Sequence, residues 1–191
     1  MNVASNLNSG ELLAQAAAWR LASLLLERPR QGWRDEIAKL SCEVIDQELS
    51  ACARDAEDGT EETYHRLFGP GGAVSPREVS YCGFEDPGHL MAELASFYDA
   101  FSFRPRREEP IDHISVEAGF VGYLFLKETY AWIEGNWEGG AITKDARERF
   151  INAHVARCAG GMHRRISDSL CHPCHLVRVF LWMLETTKSG D

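Results

Sequence analysis

Residues 109–134 read EPIDHISVEAGFVGYLFLKETYAWIE, and this stretch decides the fold. Ile114, Ala118, Val121 and Phe125 recur at helical spacing and form one apolar stripe. Pro110 suits a first helical position, because its missing N–H would have no partner there. Asp112 then falls in the first turn, where the positive end of the helix dipole favours a carboxylate. The spacing predicts a central helix over Pro110–Glu134, with His113 and Glu117 four residues apart on one face. Such a pair reads first as part of a capped, packed helix, and two ligands alone make a weak metal site.

The same period extends in both directions. Leu13, Ala17, Leu21 and Leu24 form a stripe within Glu11–Glu27, flanked by Leu12, Ala16 and Trp19. Asn8 and Glu11 have the spacing of an N-terminal cap, and Arg28-Pro29 supplies the stop. Further helices are predicted at Trp33–Arg54, Glu61–Phe68, His89–Phe101, Thr143–Ala159, Met162–Ser169 and Pro173–Thr187. All seven prolines fall between segments or at helix starts, and strand-like alternation is scarce. Gly69–Gly88 differs, with three prolines and five glycines in twenty residues, too many for a regular element. A loop of that length in a compact domain tends to be functional or disordered. The expected fold is all-α, a bundle of about six or seven helices. It forms a single helical domain over residues 1–191, with room for two lobes hinged near 104–110.

Twenty-nine acidic and twenty basic side chains leave a net charge of −9. That balance argues against a protein that tracks phosphate backbones, so no nucleic acid partner is expected. It suits a partner that brings its own positive charge. No Lys or Arg precedes the first apolar run, and the longest apolar stretches fall far short of a membrane span. The expected location is cytoplasmic, with the six cysteines kept as thiols.

Tyr64-His65-Arg66-Leu67-Phe68-Gly69-Pro70 leads into the Pro/Gly loop. Tyr64, Leu67 and Phe68 share a helix face, which by default is core, although the loop could leave part of it open as an apolar groove. Taken in order, a Tyr-x-Arg-Leu-Phe-x-x-Pro element, a Pro/Gly loop ending in an aromatic and Glu-Pro-x-Asp-His-Ile resemble the TorD/DmsD family of redox-enzyme maturation chaperones, in the NarJ-related superfamily. The motifs span Tyr64–Glu117. The resemblance implies an all-helical, TorD-like cytoplasmic chaperone that binds the twin-arginine leader or N-terminal region of a molybdopterin-containing oxidoreductase subunit. It holds that subunit until cofactor insertion is complete, before export.

Carried over by position, the implied leader contacts are Tyr64, Leu67, Phe68, Asp112 and His113. Glu109, Pro110, Tyr81 and Glu117 shape the hinge and groove. The chain departs from the family where Phe68 is followed by Gly69, Pro70, Gly71 and Gly72 rather than by Gly-Pro and a bulky aromatic. It departs again at Val79-Ser80-Tyr81, which replaces the usual Ser-Val-aromatic close. A leader of this kind pairs guanidinium groups with an apolar stretch. Asp112 and the acidic run Asp55–Glu62 are the expected carboxylates, and Tyr64, Leu67 and Phe68 the expected apolar lining. The implied partners are the catalytic subunit and its leader, bound by a monomer or a domain-swapped dimer.

Two other clusters carry chemistry. His154, Cys158, Cys171 and Cys174 could draw together a zinc site, and the Cys171/Cys174 pair a redox dithiol. A zinc-binding or thiol-redox regulatory module is therefore the alternative function. Helical packing of Phe150, Ile151, His154, Val155 and Cys158 competes with it and is preferred. Arg104, Arg106 and Arg107 form the densest basic patch, ordinarily a solvated loop. The resemblance implies weak contact there with guanine nucleotide or the molybdenum cofactor. No phosphate-binding G-x-x-x-x-G-K-[ST] element exists, which excludes an ordinary P-loop NTPase, and no tightly bound cofactor is expected. Asp112, His113 and Ser115 point in divergent directions on one helix and make no catalytic triad, so the chain reads as a non-enzyme.

Overall fold

The computed structural model describes residues 9–84, 86–106, 109–167 and 175–188. These form an all-α bundle, with no strand among them beyond one isolated bridge between Arg77 and His113. The helices are α1 (Ser9–Leu25), α2 (Trp33–Ser41), α3 (Gln47–Asp55), α4 (Glu61–Phe68), α5 (Pro87–Ala100), α6 (Ile114–Ile133), α7 (Trp137–Phe150), α8 (Ala156–Ser167) and α9 (His175–Lys188). A π-helical segment, Ile151–Val155, joins α7 to α8 without a break. The described chain thus makes eight rods. None is long and apolar enough to cross a membrane.

The central pair is α1 against α6, running antiparallel. Ser23 Oγ donates to the Ser115 carbonyl (2.8 Å) at one end. Further along, a Cβ on Gly122 would lie 3.1 Å from the Ala16 carbonyl oxygen and 3.2 Å from the Arg20 amide. Small residues on α6 therefore let the two backbones approach closely. On its other side α6 packs against α7, where Phe120 and Phe150 meet edge to face at 4.7 Å. Helix α9 closes the bundle over α3 and α8. Its Trp182 indole meets Trp19 at 5.2 Å and donates to Asp46 (2.8 Å). One apolar cluster runs from Leu12 through Phe120 to Met183.

Several local outcomes differ from the sequence expectation. The predicted helix Trp33–Arg54 breaks at 42–46, because Asp46 caps α3 by accepting from the Leu49 amide. The predicted break after Ala159 does not occur, and α8 continues through Gly160 and Gly161. The central helix starts at Ile114 rather than at Pro110. His113 is its N-cap, with Nδ1 accepting from the Ser115 amide (3.2 Å), and Pro110 opens the preceding turn by accepting the His113 amide (3.0 Å). Asp112 consequently precedes the helix instead of occupying its first turn. The proposed cap residue Asn8 lies outside the described residues.

Candidate functional site

A broad groove of about 1680 Å³ lies along the α1/α6 seam, bounded by α4, the Pro/Gly loop and residues 103–106, 109 and 110. The antiparallel register gives it two ends. Leu13 and Ala17 of α1 and Tyr123 and Leu126 of α6 line one end, and Leu13 and Leu126 remain 44% and 36% exposed. Arg20 and Ser23 of α1 and Glu27 just beyond its end, with His113 and Ser115, line the other. From Leu13 to its end at Leu25, α1 rises about 18 Å, at about 1.5 Å per residue.

Tyr64, Phe68 and His113 meet on one wall. Tyr64 and Phe68 contact edge to face at 5.0 Å, and the Tyr64 hydroxyl lies 3.0 Å from His113 Nε2. The partners of His113 fix its tautomer. Nδ1 accepts from the Ser115 amide and hydroxyl (3.2 and 2.7 Å), so Nε2 carries the proton and donates to Tyr64. Glu109 stands 3.6 Å from the same nitrogen. Burial, helped by the Arg77 charge, pushes the imidazole down to about 3, so it is neutral at pH 7. Burial, then Glu109, pushes the Tyr64 hydroxyl up. This corner offers hydrogen bonds and no charge of its own.

The other residues read from the sequence sit elsewhere. Leu67 faces the core and does not line the groove. Asp112 is fully buried and accepts two bonds from Arg77 Nε (2.9 and 3.2 Å), so its carboxylate anchors the Pro/Gly loop and does not face the groove. The Tyr81 hydroxyl donates to the Ser75 carbonyl (2.6 Å), bracing that loop from behind. Glu117 is wholly buried beneath it, with the Glu78 carboxyl as its neighbour. Burial, then Glu78 and Asp112, raises its carboxyl well above the ordinary range. Pro110 and Glu109 line the groove.

The groove carries charges of both signs. Seven arginines and four glutamates line it, although the whole chain carries −9. Of the acidic run, Asp55 pairs with Arg178, and Glu61 with Arg28. Arg104 pairs with Asp99, and Arg107 lies outside the described residues.

His154 and Cys158 are buried. His154 Nδ1 donates to Glu78 (3.1 Å), Glu78 also meets Arg157 at 3.4 Å, and burial raises the Cys158 thiol well above its ordinary range. Cys171 and Cys174 lie outside the described residues, among which no group of three or more His, Cys, Asp or Glu is arranged to hold a metal.

A model of the family described as nitrate reductase delta subunit matches residues 28–162, well over half of the chain. The chain belongs to the nitrate reductase delta subunit family. This is a family of molybdoenzyme maturation chaperones related to TorD/DmsD; its members bind the catalytic subunits of such enzymes and are not themselves catalysts. No curated protein and no solved structure matches. The region shared with the delta subunits contains Tyr64, the Pro/Gly loop and all the α6 residues at the groove. The α1 face bearing Leu13, Ala17 and Arg20 precedes it. Sequence reasoning missed that face as a site, because its residues share the periodicity of a buried stripe. The usable signal lay opposite, in Gly119 and Gly122 three apart on α6.

Proposed function

We propose that the protein is a TorD-like maturation chaperone that holds the leader or N-terminal region of a molybdopterin-containing oxidoreductase subunit in the α1/α6 groove until cofactor insertion. One observation carries this reading: Leu13 and Leu126 stay substantially exposed inside a groove long enough for a helical segment of about three turns. An amphipathic segment laid there buries its apolar face against Leu13, Ala17, Tyr123 and Leu126. Tyr64, Phe68 and His113 form the facing wall, with hydrogen bonds available from the Tyr64–His113 pair. Apolar burial supplies the main attraction for the segment, since Asp112 is engaged with Arg77. At about 25 cal/mol per Å² of apolar surface, a few buried leucines outweigh one exposed ion pair.

The test is calorimetry with a peptide spanning the N-terminal region of the client catalytic subunit. Leu13→Asp and Leu126→Asp place charge on the groove at partly exposed positions, so the fold should survive. The expected result is at least tenfold weaker binding with unchanged circular dichroism. Unchanged affinity in both folded variants overturns the assignment of this groove.

A further inference from the structure

We infer that the cationic end of the client segment seats at the corner where α6 turns into α7, on Glu134, Glu138 and Trp137, and that its apolar part runs from there into the groove. This rests on the groove being the client site, as proposed above, and fixes which end of it the cations take. Leu126, at the apolar end of the groove, belongs to a longer stripe. Leu126, Tyr130 and Ile133 recur at intervals of four and three on one face of α6. Tyr130 and Ile133 are 57% and 62% exposed, and Trp137, the first residue of α7, is 66% exposed. Single exposed apolar side chains are ordinary, whereas a run of them continuous with a groove marks a binding surface. The Trp137 ring lies 5.5 Å from that of Trp132, which holds it against the corner. Leu13 and Leu126 share one end of the groove, so the stripe from Leu126 to Ile133 lengthens the binding face by about 10 Å.

The charges at the two ends differ. At the polar end Glu27 and Glu36 are shared among Arg20, Arg30 and Arg106, and Glu61 is bound to Arg28. At the corner, Glu134 and Glu138 are exposed and make no ion pair among the described residues. The last turn of α6 carries no basic side chain, so the negative end of its dipole is uncompensated there. Of the other charges on this stretch, Glu128 is buried against Arg147 (3.0 Å), and Lys127 donates to the Phe101 carbonyl (2.9 Å) about two turns before Glu134. Guanidinium groups brought to the corner find two carboxylates and an open indole, a combination that suits arginine. A second copy of the chain would bring the same carboxylates and a net charge of −9, so a cationic segment fits this surface better. The occupant is then an amphipathic helix of roughly eighteen residues. Its basic residues lie beyond Ile133, and its apolar face covers Tyr130, Leu126 and Leu13.

The experiment uses the full chain and three synthetic peptides of about eighteen residues with the same Leu/Ala face. They differ at one end, which carries two Arg, two Gln or two Glu. Calorimetry at low salt should rank Arg above Gln above Glu, with about tenfold between the first two, and added salt should narrow that gap. The double variant Glu134→Gln/Glu138→Gln, at exposed positions, should erase the Arg preference and leave the Gln peptide unchanged. Ile133→Ser should weaken all three peptides several-fold, with unchanged circular dichroism. Equal affinities, or tighter binding of the Glu peptide, overturn the inference while leaving the groove as a peptide site. An Arg preference that survives in the double variant places the cation contact elsewhere and likewise overturns it. Affinities unchanged in Ile133→Ser take the stripe out of the contact and overturn it too; loss of a parent dimer in that variant would then assign the stripe to a second copy. Failure of all three peptides to bind overturns the inference, and with Leu13→Asp also silent against the client peptide it overturns the groove assignment as well.

Discussion

His113 Nε2 donates to the hydroxyl of Tyr64 across 3.0 Å, tying the cap of α6 to the middle of α4. The same imidazole accepts from Ser115 through Nδ1, so one ring both caps a helix and fixes a groove wall. Its neutrality is required by that geometry, because a protonated ring would lose its capping acceptor.

Tyr64→Phe keeps the ring in place and removes the acceptor of the Nε2 proton. The buried donor is then left with Glu109 at 3.6 Å. The expected cost is about 1–2 kcal/mol, read as a lower midpoint in urea denaturation at pH 7. An unchanged midpoint would show that the bond contributes nothing.

Asp112→Ala separates two accounts of the Glu-Pro-x-Asp-His motif. Asp112 accepts from Arg77, and its Oδ2 stands 3.4 Å from the Val79 amide, so its loss unpins the Pro/Gly loop. Stability should fall by about 2–3 kcal/mol, and proteolysis should then cut the 70–84 loop first. If Asp112 acted on the ligand alone, the folded variant would bind weakly and melt like the parent.

Gly161 sits under the ring of Tyr81, and a Cβ there would collide with ring carbon Cδ1. Alanine improves helix propensity by about 1 kcal/mol yet must displace the ring that donates to Ser75. The packing loss should win, giving net destabilisation of about 1–3 kcal/mol on thermal melting. A stabilised Gly161→Ala would mean that the ring moves aside freely.

These particulars show where the sequence was legible. The apolar stripe Ile114, Ala118, Val121 and Phe125 is wholly buried apart from a trace at Phe125, so periodicity identified the central helix and its inner face. The starts and stops were harder to read. The break at 42–46 is supported by Trp182, which donates to Asp46 from the far end of the chain, a contact invisible to local pattern. Gly160-Gly161 resembles a helix stop, but Gly161 is small to admit Tyr81. The motif residues at the groove wall could be named, whereas which of them face the groove depended on Arg77 capturing Asp112. The open α1 face has the same spacing as a core stripe, and only its partner's packing leaves Leu13 exposed.

Glu117 and His113 give opposite pH signatures. A buried imidazole pushed down to about 3 binds fewer protons folded than unfolded, where its ordinary value is near 6.5. Its contribution is therefore present above that value and lost as pH falls from about 6.5 towards 3. His175, lowered to about 4 by burial, works in the same direction. Glu117 is raised, so the fold keeps a proton that the unfolded chain releases above about 4.5. Its contribution is complete below that value and declines as pH rises towards the folded one. The groups facing it are Glu78 and Asp112, which reinforce the rise, and Arg157, which opposes it. Replacing Glu117 by Gln removes the ionisable proton at nearly constant shape. In urea titrations from pH 5 to 8, Glu117→Gln should gain stability relative to the parent steadily with pH. His113→Asn should instead flatten the loss below pH 6. Parallel parent and Glu117→Gln curves across that range would mean that the carboxyl beneath the loop is already ionised in the fold.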